Sequence, residues 1–223
     1  MSTLRRMSQP FRIAIYMLSG RPALLESCLT SLHENLNCNV KAPVFVYYFN
    51  GALPQDLRQR LTMTAATPPV FIEMTPSVPD HISELDLFYN RGTAYAKAFG
   101  RDRLNYLHME HFVSNIQLLS ELDNFDFCLR IDDDSHFLAP IDPGIFRQFA
   151  ESKAVIGTAF TWRGDTSYEP VRENLFEFVR WYVEQECLVP KNQELRLALL
   201  SNDRAAFHQL AWSAGNFNLY RME

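Results

Sequence analysis

Phe125-Asp126-Phe127-Cys128-Leu129-Arg130-Ile131-Asp132-Asp133-Asp134 is a nearly unbroken apolar run that ends in three carboxylates. Its length and its aromatic and branched content predict a strand over 125–131, buried on both faces as in a parallel sheet. Three adjacent carboxylates at the end of such a strand repel one another, and a divalent cation would stabilise them. Oxygen-only ligands select magnesium, manganese or calcium. In an extended segment Asp132 and Asp134 point to one side, together with His136, and Asp133 points away. The bland alternative is a solvated acidic turn. The apolar run argues against it, because it makes the triplet the carboxyl end of a core strand, where open α/β sheets bind their ligands.

The flanking sequence supplies the rest of such a sheet. Phe11–Leu18 (FRIAIYML) reads as another doubly buried strand, followed by a turn at Gly20-Arg21-Pro22. Ala23–Leu36 then places Leu24, Cys28, Leu32 and Leu36 on one helical face. Val44–Phe49 predicts a strand, Pro54–Leu61 a helix opened by proline, and Val70–Glu73 a short strand. This β-α-β-α-β order opens a doubly wound α/β sheet. The stretch Thr75–Gly100 is irregular, and long loops inside compact domains are usually functional. Arg103–Leu122 predicts a helix on the spacing of Leu104, Leu107, His111, Leu118 and Leu122. After the acidic triplet come a helix over Pro143–Ser152, a strand over Ala154–Thr161 and a helix over Val171–Glu186. One or two further helices and a strand over Asn216–Arg221 complete the chain.

Composition narrows the function. Hydrophobic residues make up 47% and charged residues 21%, the balance of a folded soluble protein. The formal net charge of −5 and the absence of a basic stripe leave nucleic-acid binding without an electrostatic footprint. No apolar run is long enough to span a bilayer. Cys28, Cys38, Cys128 and Cys187 stand at no metal-ligand spacing, which suggests reduced thiols. The expectation is a soluble, cytoplasmic chain.

Missing motifs sharpen this. With eight glycines the chain has neither G-x-G-x-x-G nor G-x-x-x-x-G-K-[ST], so it lacks a backbone cradle for phosphates. A phosphorylated ligand would then be neutralised by a metal and by arginines, with Arg130 and Arg91 the candidates. For Arg130, a structural pair with one of the aspartates is the competing role. His108 and His111, three apart on a predicted helix, lack a third zinc ligand and read as packed or hydrogen-bonded helix residues. Tyr89, Tyr95, Trp162 and Tyr168 flank predicted strand ends, where they would stack on a base or sugar or join the core.

Several segments together resemble the fungal α-1,2-mannosyltransferases of glycosyltransferase family 15. Asn105–Phe112 (NYLHMEHF) is similar to that family's S-Y-R-H-M-C-R-F segment, and Phe127–Phe137 resembles its Y-W-R-V-E-P-D-V strand and acidic motif. Val44–Asn50 with Pro54 is similar to its strand and N-D-x-P turn, and Gly215–Leu219 to its S-N-F-E-I segment. The resemblance implies a single GT-A (Rossmann-like) domain over 1–223, with a nucleotide-sugar part over roughly 10–160 and a partial acceptor part over roughly 161–223. It implies a GDP-mannose donor, manganese (or magnesium), a glycan or glycolipid acceptor, and transfer with retention. Asp132 and Asp134 take the acidic-motif positions as metal ligands. Asp132, Arg130 and Tyr106 fall at donor-site positions, to which the anion-binding argument adds Arg91. The sequence departs from the pattern at Asp132 (glutamate in the family), Asp133 (proline) and Asn218 (glutamate), and the later E-R-W-G-D and P-V-H-S segments have no counterpart. The C-terminal part is therefore expected to be incomplete. Relatives in the family are membrane-anchored in the Golgi. Two rivals remain at this stage: a haloacid-dehalogenase-type phosphohydrolase, and a truncated, non-catalytic transferase-fold binding module.

Overall fold

The computed structural model describes residues 11–49, 51–75, 103–158, 161–162, 175–210, 212–213 and 217–222. Strand β1 (Ile13–Leu18) has five consecutive buried residues, as its unbroken apolar run requires. Helix α1 (Pro22–Leu32) opens on proline, whose missing N–H costs nothing in a first turn. It continues through one π-helical turn, His33–Asn37, and a last short turn, Cys38–Val40. The π turn directs Asn37 into the junction with the next strand, where its buried amide donates to the Ala42 carbonyl at 3.0 Å and accepts from the Ala42 N–H at 2.8 Å. Strand β2 (Val44–Phe49), helix α2 (Gln55–Thr64) and strand β3 (Val70–Met74) follow, within a few residues of expectation.

Helix α3 (Arg103–Ser114) is shorter than its leucine spacing predicts; two 3₁₀ turns, Ile116–Leu118 and Ser120–Leu122, replace its last part. Next come β4 (Phe127–Ile131), α4 (Gly144–Ser152), β5 (Ile156–Thr158) and β6 (Thr161–Trp162). The single strand expected over 154–161 is thus two strands in two different sheets. Helices α5 (Leu175–Gln185), α6 (Gln193–Leu200) and α7 (Arg204–His208) precede β7 (Trp212–Ser213) and β8 (Phe217–Arg221). Helices α6 and α7 are capped by Asn192 and Asp203, whose side chains accept from Leu195 and Ala206 N–H groups.

The chain forms two compact units. In the first, six strands make one mixed sheet in the order β3-β2-β1-β4-β8-β5. Strands β3, β2, β1 and β4 are parallel, and β8 runs antiparallel to both β4 and β5. Alternation along β1 sorts the core onto two faces. Ile13, Ile15 and Met17 pack with Leu25, Leu29 and Leu32 of α1, Leu57 and Leu61 of α2, and Phe146 and Phe149 of α4. Ala14 and Tyr16 pack on the other face with Phe45, Tyr47, Cys128 and Phe112 of α3. In the second unit, β6 and β7 pair, and Phe176 of α5, Ala198 of α6 and Phe207 of α7 share a small core. Among the described residues no helix is long and apolar enough to cross a membrane.

Candidate functional site

Strand order reverses at β1. From β1 the chain moves outward to β2 and β3, then returns to place β4 on the other side of β1. The loops leaving the carboxyl ends of β1 and β4 therefore diverge, which is where open sheets of this kind form their ligand crevice. The loop from β1 is Ser19-Gly20-Arg21; the loop from β4 is Asp132-Asp133-Asp134. The register that sets Tyr16 beside Arg130, continued three residues, sets Ser19 beside Asp133.

The acidic triplet is not extended. Strand β4 stops at Ile131, and the Ser135 N–H closes a turn onto the Asp132 carbonyl at 3.0 Å. The alternation argument from sequence therefore does not apply, and each aspartate has its own environment. Asp133 is 1% exposed. Its Oδ2 accepts from Ser19 Oγ at 2.9 Å and from the Gly20 and Arg21 N–H groups, both at 3.0 Å. Its Oδ1 accepts from Arg21 Nε at 2.7 Å and pairs with Nη2 of the same guanidinium. Asp133 is thus the tie between the two loops. Sequence reasoning gave it no role.

Asp134 is exposed and pairs through Oδ2 with Arg21 Nη1. Asp132 is partly exposed and pairs through Oδ1 with Arg130 Nη2 at 3.0 Å. Arg130 itself is 11% exposed. Burial holds the Asp132 carboxyl above the usual carboxylate range; the cations of Arg130 and Arg21 pull the other way, and Asp134 adds to the rise. Cys28 of α1 donates its thiol to the Asp132 carbonyl at 3.5 Å. Burial first, then the three nearby aspartates, push that thiol up to about 12.

The segment after the triplet is fastened to α1. Phe137 N–H donates to Ser31 Oγ at 3.2 Å, Asn35 Nδ2 donates to the Phe137 carbonyl at 2.7 Å, and Ile141 N–H donates to the Asn35 carbonyl at 2.7 Å. His136 is exposed. Of the other sequence candidates, Tyr106 falls in the first turn of α3, without a described side chain, and Arg91 lies outside the described residues. So do Tyr89, Tyr95 and Tyr168. His108 packs edge-on against Phe49, with ring centroids 5.9 Å apart, and His111 is exposed. Cys28 and Cys128 are buried free thiols, whereas Cys38 and Cys187 are exposed. A groove of about 370 Å³ between α1 and α2, lined by Thr30, His33, Leu61 and Thr67, touches none of the triplet.

Among the described residues no three His, Cys, Asp or Glu side chains are grouped to hold a metal. The donor set of the triplet still suits a hard cation. Among the described residues Asp132 and Asp134 each keep one carboxylate oxygen outside these ion pairs, and burial, which holds the Asp132 carboxyl above its ordinary range, disfavours its charged form unless a cation is near. Two carboxylates leave most of a cation's coordination positions for other oxygen ligands.

The order of the sheet, its antiparallel β8 and the acidic turn at the β1/β4 edge define a GT-A fold. No family model matches the sequence, and no curated protein matches it. Solved structures do match. Core-mannan synthase A from Aspergillus fumigatus, in a Mn/GDP form, has a TM-score of 0.71 and 16% identity over 95% of this chain. The mannosyltransferase Ktr4p from S. cerevisiae, in complex with GDP, has a TM-score of 0.74 and 15% identity over 95% of this chain. The chain spans 59% and 57% of the lengths of those two proteins. At this identity the likeness establishes the fold.

Proposed function

We propose that this chain is the nucleotide-sugar-binding part of a metal-dependent glycosyltransferase, transferring mannose from GDP-mannose to a glycan or glycolipid acceptor with retention. One observation carries the reading: Asp132 and Asp134 stand at the carboxyl edge where β1 and β4 diverge, in a fold whose solved counterparts hold GDP and Mn/GDP. Asp134 and Asp132 are the proposed ligands of manganese or magnesium. When bound, the cation supplies charge neutralisation for the departing nucleoside diphosphate. The chain's own residues prepare that place. Asp133 locks the β1 loop against the β4 loop, and Arg130 orients the Asp132 carboxylate. Ser31 and Asn35 fix the backbone beyond the triplet. Tyr106 and Arg91 complete the proposed donor set.

The phosphohydrolase alternative places its acidic pair on the first strand, whereas here the triplet follows β4. Calorimetry of GDP and GDP-mannose, with and without manganese, tests the proposal. Asp132→Ala and Asp134→Ala should each abolish the metal-dependent part of binding. Unchanged GDP-mannose affinity in both variants would refute the assignment. Binding without release of GDP in the presence of mannoside acceptors would identify a non-catalytic module.

A further inference from the structure

Arg21 holds two carboxylates with one planar group. Nε and Nη2 engage Asp133, and Nη1 engages Asp134. The two attachments differ in kind. Asp133 is buried and takes three other hydrogen bonds, from Ser19 Oγ and two backbone N–H groups, so its position does not depend on the guanidinium. Asp134 is 38% exposed, and among the described residues Arg21 is its one ion-pair partner. A buried anchor and an exposed arm therefore share one side chain, which is itself 43% exposed.

The charges give this arrangement a direction. Three carboxylates against two guanidiniums leave one negative charge at the β1/β4 edge. A divalent cation alone would turn it positive, and a diphosphate arriving with the cation would offset that positive charge. We propose that Arg21 is an internal counter-ion that a divalent cation displaces from Asp134. The freed Nη1 arm, still anchored on Asp133, then faces the anion that accompanies the cation. Such a site takes a cation together with a diphosphate in preference to the bare cation. The inference rests on the reading that Asp132 and Asp134 hold the metal.

Manganese titration followed by the electron paramagnetic resonance of free Mn²⁺ tests it, on the full chain with and without GDP. In the unsubstituted protein, GDP should tighten manganese binding. In Arg21→Gln, bare manganese should bind roughly two- to fivefold tighter, the range that loss of a competing exposed ion pair supports, and the tightening by GDP should shrink. Arg21→Lys holds one carboxylate at a time and should fall between. Circular dichroism establishes that each variant is folded; should the glutamine variant not fold, the lysine variant carries the comparison. Bare-manganese affinity equal to or below that of the unsubstituted protein in the folded variant overturns the role of Arg21 and leaves the metal reading standing. No manganese binding by the unsubstituted protein, with or without GDP, overturns the metal reading itself.

Discussion

Replacing Asp133 should cost more stability than replacing either of its neighbours. Its two oxygens accept from Ser19 Oγ, two backbone N–H groups and two nitrogens of Arg21. Breaking a buried charge pair by removing one partner costs about 3–5 kcal/mol. Gly20 and Arg21 are exposed, so water replaces part of what their N–H groups lose. Asp133→Ala should therefore lose about 2–4 kcal/mol, set against the roughly 5–15 kcal/mol of a typical domain. Asparagine should rescue little, because both oxygens face donors and an amide must turn its NH₂ toward one of the two sets. Urea unfolding followed by far-UV circular dichroism measures both variants. An Asp133→Asn protein within about 0.5 kcal/mol of the unsubstituted one, well inside the cost expected for a lost buried acceptor, would show that the tie between the loops is not what holds them.

Asp134→Asn, at an exposed pair, should change stability by less than about 1 kcal/mol while metal-dependent GDP affinity falls at least about tenfold; calorimetry and urea unfolding on one preparation separate the two effects. Asn37→Ala leaves the Ala42 N–H and C=O without partners in a buried junction and should cost about 2–4 kcal/mol by the same unfolding assay. Burial pushes the Cys28 and Cys128 thiols from an ordinary value near 9 up to about 12. At pH 8 a disulfide reagent should therefore label Cys38 and Cys187 quickly, and label the buried pair only in denaturant; rapid four-thiol labelling of the native protein would contradict the packing. The sign for stability follows from the same shift: the contribution of the two neutral thiols is full below about pH 9 and is lost as pH rises toward about 12. A methyl at Gly157 would meet the Phe149 ring at 3.2 Å, so Gly157→Ala should lower the unfolding midpoint through roughly 1–3 kcal/mol of overpacking.

Elements buried on both faces could be read from the sequence almost residue by residue. Strands β1, β2 and β4 have no polar alternation to confuse the period, and flanking turns mark their ends. Helix α3 was over-extended because Leu118 and Leu122 keep helical spacing. In the structure Leu122 is fully buried from a 3₁₀ turn and Leu118 is 72% exposed, so the spacing did not mark one packed face. The strand expected over 154–161 failed at the sheet margin, where Val155 and Ile156 are exposed and apolar content no longer reports burial. At the site, the triplet itself was visible. The division of labour within it was not, because side-chain alternation holds only in extended backbone and the chain turns at Asp132. The signal that would have found Asp133 lay in a different segment: two core strands paired in parallel put Ser19-Gly20-Arg21 alongside it. Arg130 sits in the pair with Asp132 that competed with a free anion-binding role.

Strand β8 is a wedge. It separates β4 from β5, and its Arg221 caps carbonyls of α4 at Ala150 while its guanidinium lies over the Phe127 and Phe149 rings. The parallel strands can assemble from neighbouring stretches of chain, but the seat for β8 stays open until residues far downstream arrive. Until then Phe127–Ile131, the most apolar stretch next to the acidic triplet, offers an unpaired edge of the kind that recruits other chains. The strand that leads into the acidic triplet is thus the one whose pairing waits for the most distant residues, so dilute refolding should favour recovery of the native protein over its aggregates.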